Sequence, residues 1–172
     1  MLGLTNLGTI HTAIALLAVA AGAMAYFRYG NISLRTRRGQ AYVWLTVITC
    51  LTGFGIFEHG GFGKPHMLGI LTLLVLALAV AAGKGSLFGR RAIYVETIAY
   101  SLTYFFHFIP ATAETATRLP VAAPWADSPE APQVLLVTGL FFVAFLVGVG
   151  IQLRRLRRGG SGAGPAPTLA LS

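Results

Sequence analysis

Five apolar runs alternate with short polar segments along this chain, and each is close to the ~20 residues a helix needs to cross a bilayer core. They fall at about 5–27 (TNLGTIHTAIALLAVAAGAMAYF), 41–57 (AYVWLTVITCLTGFGIF), 66–83 (HMLGILTLLVLALAVAAG), 92–113 (AIYVETIAYSLTYFFHFIPATA) and 134–153 (VLLVTGLFFVAFLVGVGIQL). The pattern predicts an all-α integral membrane helical bundle. Spans one to four are expected to form a four-helix core. Span five has no ionisable residue before its end and is expected to be a peripheral transmembrane helix. Residues 1–153 thus read as a single transmembrane domain. Residues 154–172 read as a cytoplasmic tail, basic at first and then low-complexity and disordered (GGSGAGPAPTLALS). Between spans four and five, 119–133 (LPVAAPWADSPEAPQ) reads as a proline-rich outer loop.

Composition strengthens this reading. The 172 residues are 55% hydrophobic and 10% charged, with a mean hydropathy of +0.72. Soluble domains carry roughly 25% charged residues. The single cysteine, Cys50, lies inside an apolar run and has no partner for an intrachain disulfide. No Lys or Arg precedes Arg28, so the first run lacks the basic start of a signal peptide and is expected to be retained as a helix.

The 13 basic residues outnumber 5 acids. In a soluble protein that excess suggests nucleic acid. Here it sits in short loops and reports topology instead, so no nucleic-acid partner is expected. Arg28, Arg35, Arg37 and Arg38 separate spans one and two. Lys84, Arg90 and Arg91 separate three and four. Arg154, Arg155, Arg157 and Arg158 follow five. All of these fall on one side; only Lys64 and Arg118 fall on the other. The positive-inside rule then predicts a bacterial inner-membrane protein with its N-terminus outside and its C-terminus in the cytoplasm. Tyr26, Tyr42, Trp44 and Tyr94 are expected at the inner interface and Trp125 at the outer one.

This topology sends all four histidines to the outer half. His59 and His66 bracket the bend GIFEHGGFGKPHMLGIL between spans two and three. His11 lies about two turns into span one, and His107 lies near the outer end of span four. An ionisable group inside a bilayer is costly and by default points to function. His66, following Pro65 at a helix start, also suits a capping role. In span four, Glu96, Tyr100, Thr103, His107, Glu114 and Arg118 recur at spacings of three, four or seven, which is one face of a helix. Glu114 and Arg118 are spaced to neutralise each other, and Tyr100 and Thr103 suit interhelical hydrogen bonding.

Three chemistries fit these residues. The first is a b-type haem held by a histidine pair drawn from His11, His66, His107 and His59, suited to electron transfer with a membrane redox partner or quinone. Gly22 on the His11 face, with Gly53 and Gly55 on span two, offers room for a flat group. No CxxCH occurs, so c-type attachment is excluded. The second is a bare zinc or copper ion on His11, His66, His107 and Glu58. The third needs no cofactor: an accessory or assembly subunit, or a proton-linked transporter with the span-four stripe as a relay, which five spans without an inverted repeat fit poorly. Enzymatic activity and oligomeric state stay open.

Several stretches together resemble a known family. They are the early histidine of span one, the segment RRGQAYVWLTVITCLTGFGIF, the bend HGGFGKPHMLGILTL, and a fourth helix with a histidine followed by TATRLP. They resemble an uncharacterised family of bacterial integral membrane proteins, domain of unknown function 2306, over about residues 8–120. The resemblance implies a four-helix membrane bundle and brings no activity with it. By position it directs attention to His11, the 59–66 bend and His107. Members often carry HRR before the fourth helix, where this chain has GRRAIY.

Overall fold

A computed structural model describes residues 5–56, 61–85 and 88–160. Five helices make up the regular structure: α1 (Asn6–Tyr29), α2 (Arg37–Gly53), α3 (Lys64–Gly83), α4 (Ala92–Arg118) and α5 (Pro132–Gly160), with a 3₁₀ turn at Gly89–Arg91 before α4. No strand occurs among the described residues.

The helix boundaries follow local chemistry. Thr5 caps α1 by accepting the Gly8 N–H at 3.1 Å, and Thr36 caps α2 by accepting the Gly39 N–H at 3.1 Å. The capped start brings α2 back to Arg37, ahead of the apolar run that begins at residue 41. At the end of α1, Gly30 takes the left-handed conformation (φ 75°) and its N–H returns to the Tyr26 carbonyl at 2.8 Å. Pro65 lies in the first turn of α3. α4 continues across Pro110 to Arg118, beyond the apolar run, and Leu119 leaves it in extended conformation ahead of Pro120. α5 continues through Arg154–Arg158 to Gly160, so the basic segment after residue 153 prolongs the helix.

By length and composition, α1, α3 and the Pro132–Arg158 stretch of α5 are apolar enough to cross a membrane. α2 and α4 do not join them. At 17 residues α2 is about 26 Å long, short of the ~30 Å core, and it opens on two arginines. α4 has the length, but it carries the polar stripe.

α1 packs on α2, α3 on α4, and α2 on α3, with a slighter contact between α1 and α4. The shared core contains Ala21, Ala25, Tyr42, Leu76, Ala79, Ala99 and Tyr100. Four alanines in this set let backbones approach closely and leave space for the two tyrosines. Among the helices α5 packs on α4 alone, through Phe105–Phe145 and Phe108–Phe141 ring stacks. Its remaining apolar side chains, Leu136, Leu140, Val143 and Val147 among them, are exposed. At the far end of α4 the 119–131 loop folds back. The Ala126 N–H donates to the Ala116 carbonyl at 2.9 Å, and Ala116, Ala126 and Val134 form a small second core.

Candidate functional site

α4 places its polar stripe against α2, α3 and the α1–α2 loop. At its N-terminal end Glu96 is 3% exposed. Its carboxylate accepts the Ser33 hydroxyl at 2.9 Å and meets the Arg35 guanidinium at 3.5 Å. Arg35 also donates to the Gly83 carbonyl at 3.1 Å, which ties the end of α3 to the same group. One turn on, Tyr100 is buried and its hydroxyl has no hydrogen-bond partner among the described residues. Thr103 follows, completely buried, donating to the Tyr100 carbonyl at 2.9 Å.

Thr103 begins a row of hydrogen-bonded pairs across the α2–α4 interface. Its Oγ1 lies 2.8 Å from the Tyr42 hydroxyl. One turn further along α2, Thr46 Oγ1 lies 3.1 Å from His107 Nε2. Thr103 has one proton, spent on the Tyr100 carbonyl, so Tyr42 donates to Thr103. Thr46 and His107 form the second pair, in which the donor is set by the imidazole tautomer. The Tyr42–Thr103 and Thr46–His107 pairs lie one helical turn apart along α2 and α4. The Tyr42 and His107 rings also meet edge to face, 5.9 Å apart.

His11 sits on the same side of the bundle. Its Nδ1 lies 3.1 Å from Thr52 Oγ1, the Thr49 backbone faces the ring, and His11 and His107 are close enough to interact electrostatically. The glycine spaces along this interface are filled from within. A Cβ on Gly53 would come 3.1 Å from the His11 ring, and one on Gly22 would come 2.6 Å from the Tyr104 ring.

His66 works locally. Its Nδ1 accepts the Gly63 N–H at 3.2 Å, satisfying the N-cap donor at the start of α3, and its ring packs 5.2 Å from Phe62. Glu58 and His59 lie outside the described residues. Among the described residues, no three His, Cys, Asp or Glu side chains gather as a metal site. Glu114 and Arg118 pair within α4, and both sit toward the surface. Across the loops, Lys64 meets Glu130 at 2.9 Å. The hydrogen bond and charge of Lys64 hold the Glu130 carboxyl below the usual carboxylate range.

Among the described residues, two surface cavities bear on the site. The larger, about 420 Å³, lies between α4 and α5 and is lined mainly by apolar side chains, including Phe108, Leu119, Trp125 and Phe141; no histidine reaches it. The smaller, about 100 Å³, lies at the other end, where the C-terminus of α1 meets α4 and α5.

The sequence reading named the stripe and the histidines but missed Thr46, Thr52, Ser33 and Arg35 as their partners. It also placed Tyr42 at the membrane interface, whereas Tyr42 is fully buried in the core. Thr46, Thr49 and Cys50 share a buried face of α2 with Tyr42, and that spacing was the available signal. The fold and site define an all-helical bundle with candidate membrane-spanning helices and ionisable groups at its interior interfaces. No family model, curated protein or solved structure matches the chain.

Proposed function

We propose that this chain is a multi-pass bacterial inner-membrane protein that relays protons along its α2–α4 interface without a bound cofactor. In this reading all five helices span, α1–α4 form the core, α5 attaches through α4, and the N-terminus is periplasmic. The loop arginines support that orientation, and the resemblance over about residues 8–120 is compatible with it. The observation that carries the relay is the row of hydroxyl and imidazole groups formed by the His107–Thr46 and Tyr42–Thr103 pairs. Hydroxyl and imidazole groups set in such a row can pass a proton by successive hand-over. His11 lies at the outer end. Beyond Thr103 the stripe holds Tyr100, whose hydroxyl makes no hydrogen bond among the described residues, and Glu96, which is paired with Arg35.

The test is proton flux into liposomes loaded with a pH-sensitive dye and held at a potassium diffusion potential. Wild-type protein is expected to acidify the lumen faster than empty liposomes. Tyr42→Phe and His107→Ala should each bring the rate back to the empty-liposome level. Equal rates in all three proteins would remove the relay.

A second reading, a b-type haem between His11 and His107 serving electron transfer, is favoured by the mutual proximity of these imidazoles. It requires His11 to leave Thr52 and the protein to open where Gly53 is now filled. A Soret band with split α and β bands on reduction, lost in His11→Ala and in His107→Ala, would establish it in place of the relay.

A further inference from the structure

The small cavity at the ends of α1, α4 and α5 lies apart from the α2–α4 row. We infer that it is a binding site for a single phosphate group, supplied by an anionic phospholipid headgroup or by a free phosphate.

Its lining supplies donors and no acid. Arg155 of α5 reaches over Gly30, with a guanidinium nitrogen 3.3 Å from the position a Gly30 Cβ would take. Among the described residues Arg155 makes no ion pair. Asn31 adds an amide that makes no hydrogen bond among those residues, and Tyr29 adds a phenol. Glu96 is next to the lining residue Thr97 in sequence, but its carboxylate is held by Ser33 and Arg35.

Size narrows the ligand. A volume of about 100 Å³ is well below the ~300 Å³ lower end of drug-sized pockets and suits one compact anion. A guanidinium presents two parallel N–H groups to two phosphate oxygens, a geometry an ammonium lacks. Gly30 keeps the cavity open: its φ of 75° disfavours any side chain, and a Cβ there would press on Arg155. Arg28, Arg154 and Arg158 add positive charge at the same end of the bundle. The C-terminal dipole of α1 opposes an anion here, but the Gly30 N–H already draws on its last turn.

Placement favours the lipid source. Val147 and Ile151 are exposed on α5 within two turns of Arg155, so acyl chains can run along that face while the headgroup sits in the cavity. Basic pockets between helices at a cytoplasmic interface bind lipid headgroups in this way. A bound phosphate would tie α5 more firmly to the α1–α2 loop, over which Arg155 already reaches at Gly30.

Native mass spectrometry on the full chain, released from detergent containing phosphatidylglycerol or phosphatidylcholine, tests the site. Wild type is expected to retain one phosphatidylglycerol more than Arg155→Gln. Arg158→Gln, outside the lining, should match wild type, and Arg155→Lys should recover part of the loss. A parallel melting measurement in phosphatidylcholine nanodiscs uses inorganic phosphate at millimolar concentration. Lipid retention without a phosphate-induced shift assigns the headgroup. A phosphate-induced shift in wild type that is absent in Arg155→Gln assigns free phosphate. If Arg155→Gln and Arg158→Gln behave alike in both measurements, the site is refuted. If Arg155→Gln fails to fold, Asn31→Leu takes its place against the same control.

Discussion

The Tyr42 hydroxyl lies 2.8 Å from Thr103 Oγ1 across the α2–α4 interface, and both side chains are wholly buried. Because Thr103 donates to the Tyr100 carbonyl, the two ends of this bond are unequal. Tyr42→Phe removes a donor and leaves Thr103 still bonded. Thr103→Val removes the acceptor and leaves a buried phenol with its proton unplaced. Tyr42→Phe should cost about 1 kcal/mol and Thr103→Val about 2 kcal/mol. Reversible unfolding in mixed micelles reads both, and the reverse order would refute the assigned direction.

Glu96 has two partners of different worth. Ser33 donates at 2.9 Å in a buried setting, whereas Arg35 stands at 3.5 Å with 64% of its side chain exposed. A hydrogen bond from a buried hydroxyl to a carboxylate contributes about 2 kcal/mol. A solvent-screened pair contributes less than about 1 kcal/mol. Ser33→Ala should therefore destabilise the protein more than Arg35→Ala in the same unfolding assay.

Gly39 packs so tightly that a Cβ there would fall 2.0 Å from the Ser33 carbonyl oxygen, a backbone atom. The α1–α2 loop would have to move and carry Ser33 off Glu96. Gly39→Ala should cost about 3 kcal/mol, combining overpacking with the lost hydrogen bond. Gly139, whose Cβ position meets open space, is the control: Gly139→Ala should be neutral or slightly stabilising.

Lys64, the first residue of α3, and Glu130, in the loop before α5, form an exposed pair. The folded Glu130 carboxyl titrates below its unfolded value. Its contribution is therefore present above the unfolded pKa and is lost as pH falls through the lower, folded one. A carboxyl-carbon NMR titration should place the Glu130 midpoint below the ordinary glutamate range. Lys64→Ala should move it back up, and 0.5 M salt should do so in part.

The helices were largely legible in the sequence. The apolar runs located all five, because a helix that crosses hydrocarbon or packs inside a bundle is rich in apolar residues. The ends were less legible: α2 starts at Arg37, α4 runs to Arg118 and α5 to Gly160, beyond their apolar runs. A cap or a surface turn extends a helix without changing the hydropathy of its centre. The stripe on α4 was also visible, since i,i+4 spacing alone puts Glu96, Tyr100 and Thr103 on one face.

The partners were not visible. Thr46, Thr52 and Ser33 are small hydroxyl residues with no pattern of their own, and each matters through a residue 41 to 63 positions away. The sequence by itself determined an all-helical chain with apolar runs, arginines grouped in alternate connections and a polar face on α4, because these depend on composition and on the helical repeat. The tertiary structure alone decided that Tyr42 joins the core, that His66 caps its own helix, and that His107 and Thr103 each pair with a residue of α2. Those outcomes depend on how neighbouring helices are rotated and set in depth against one another, which short-range spacing along one chain does not encode.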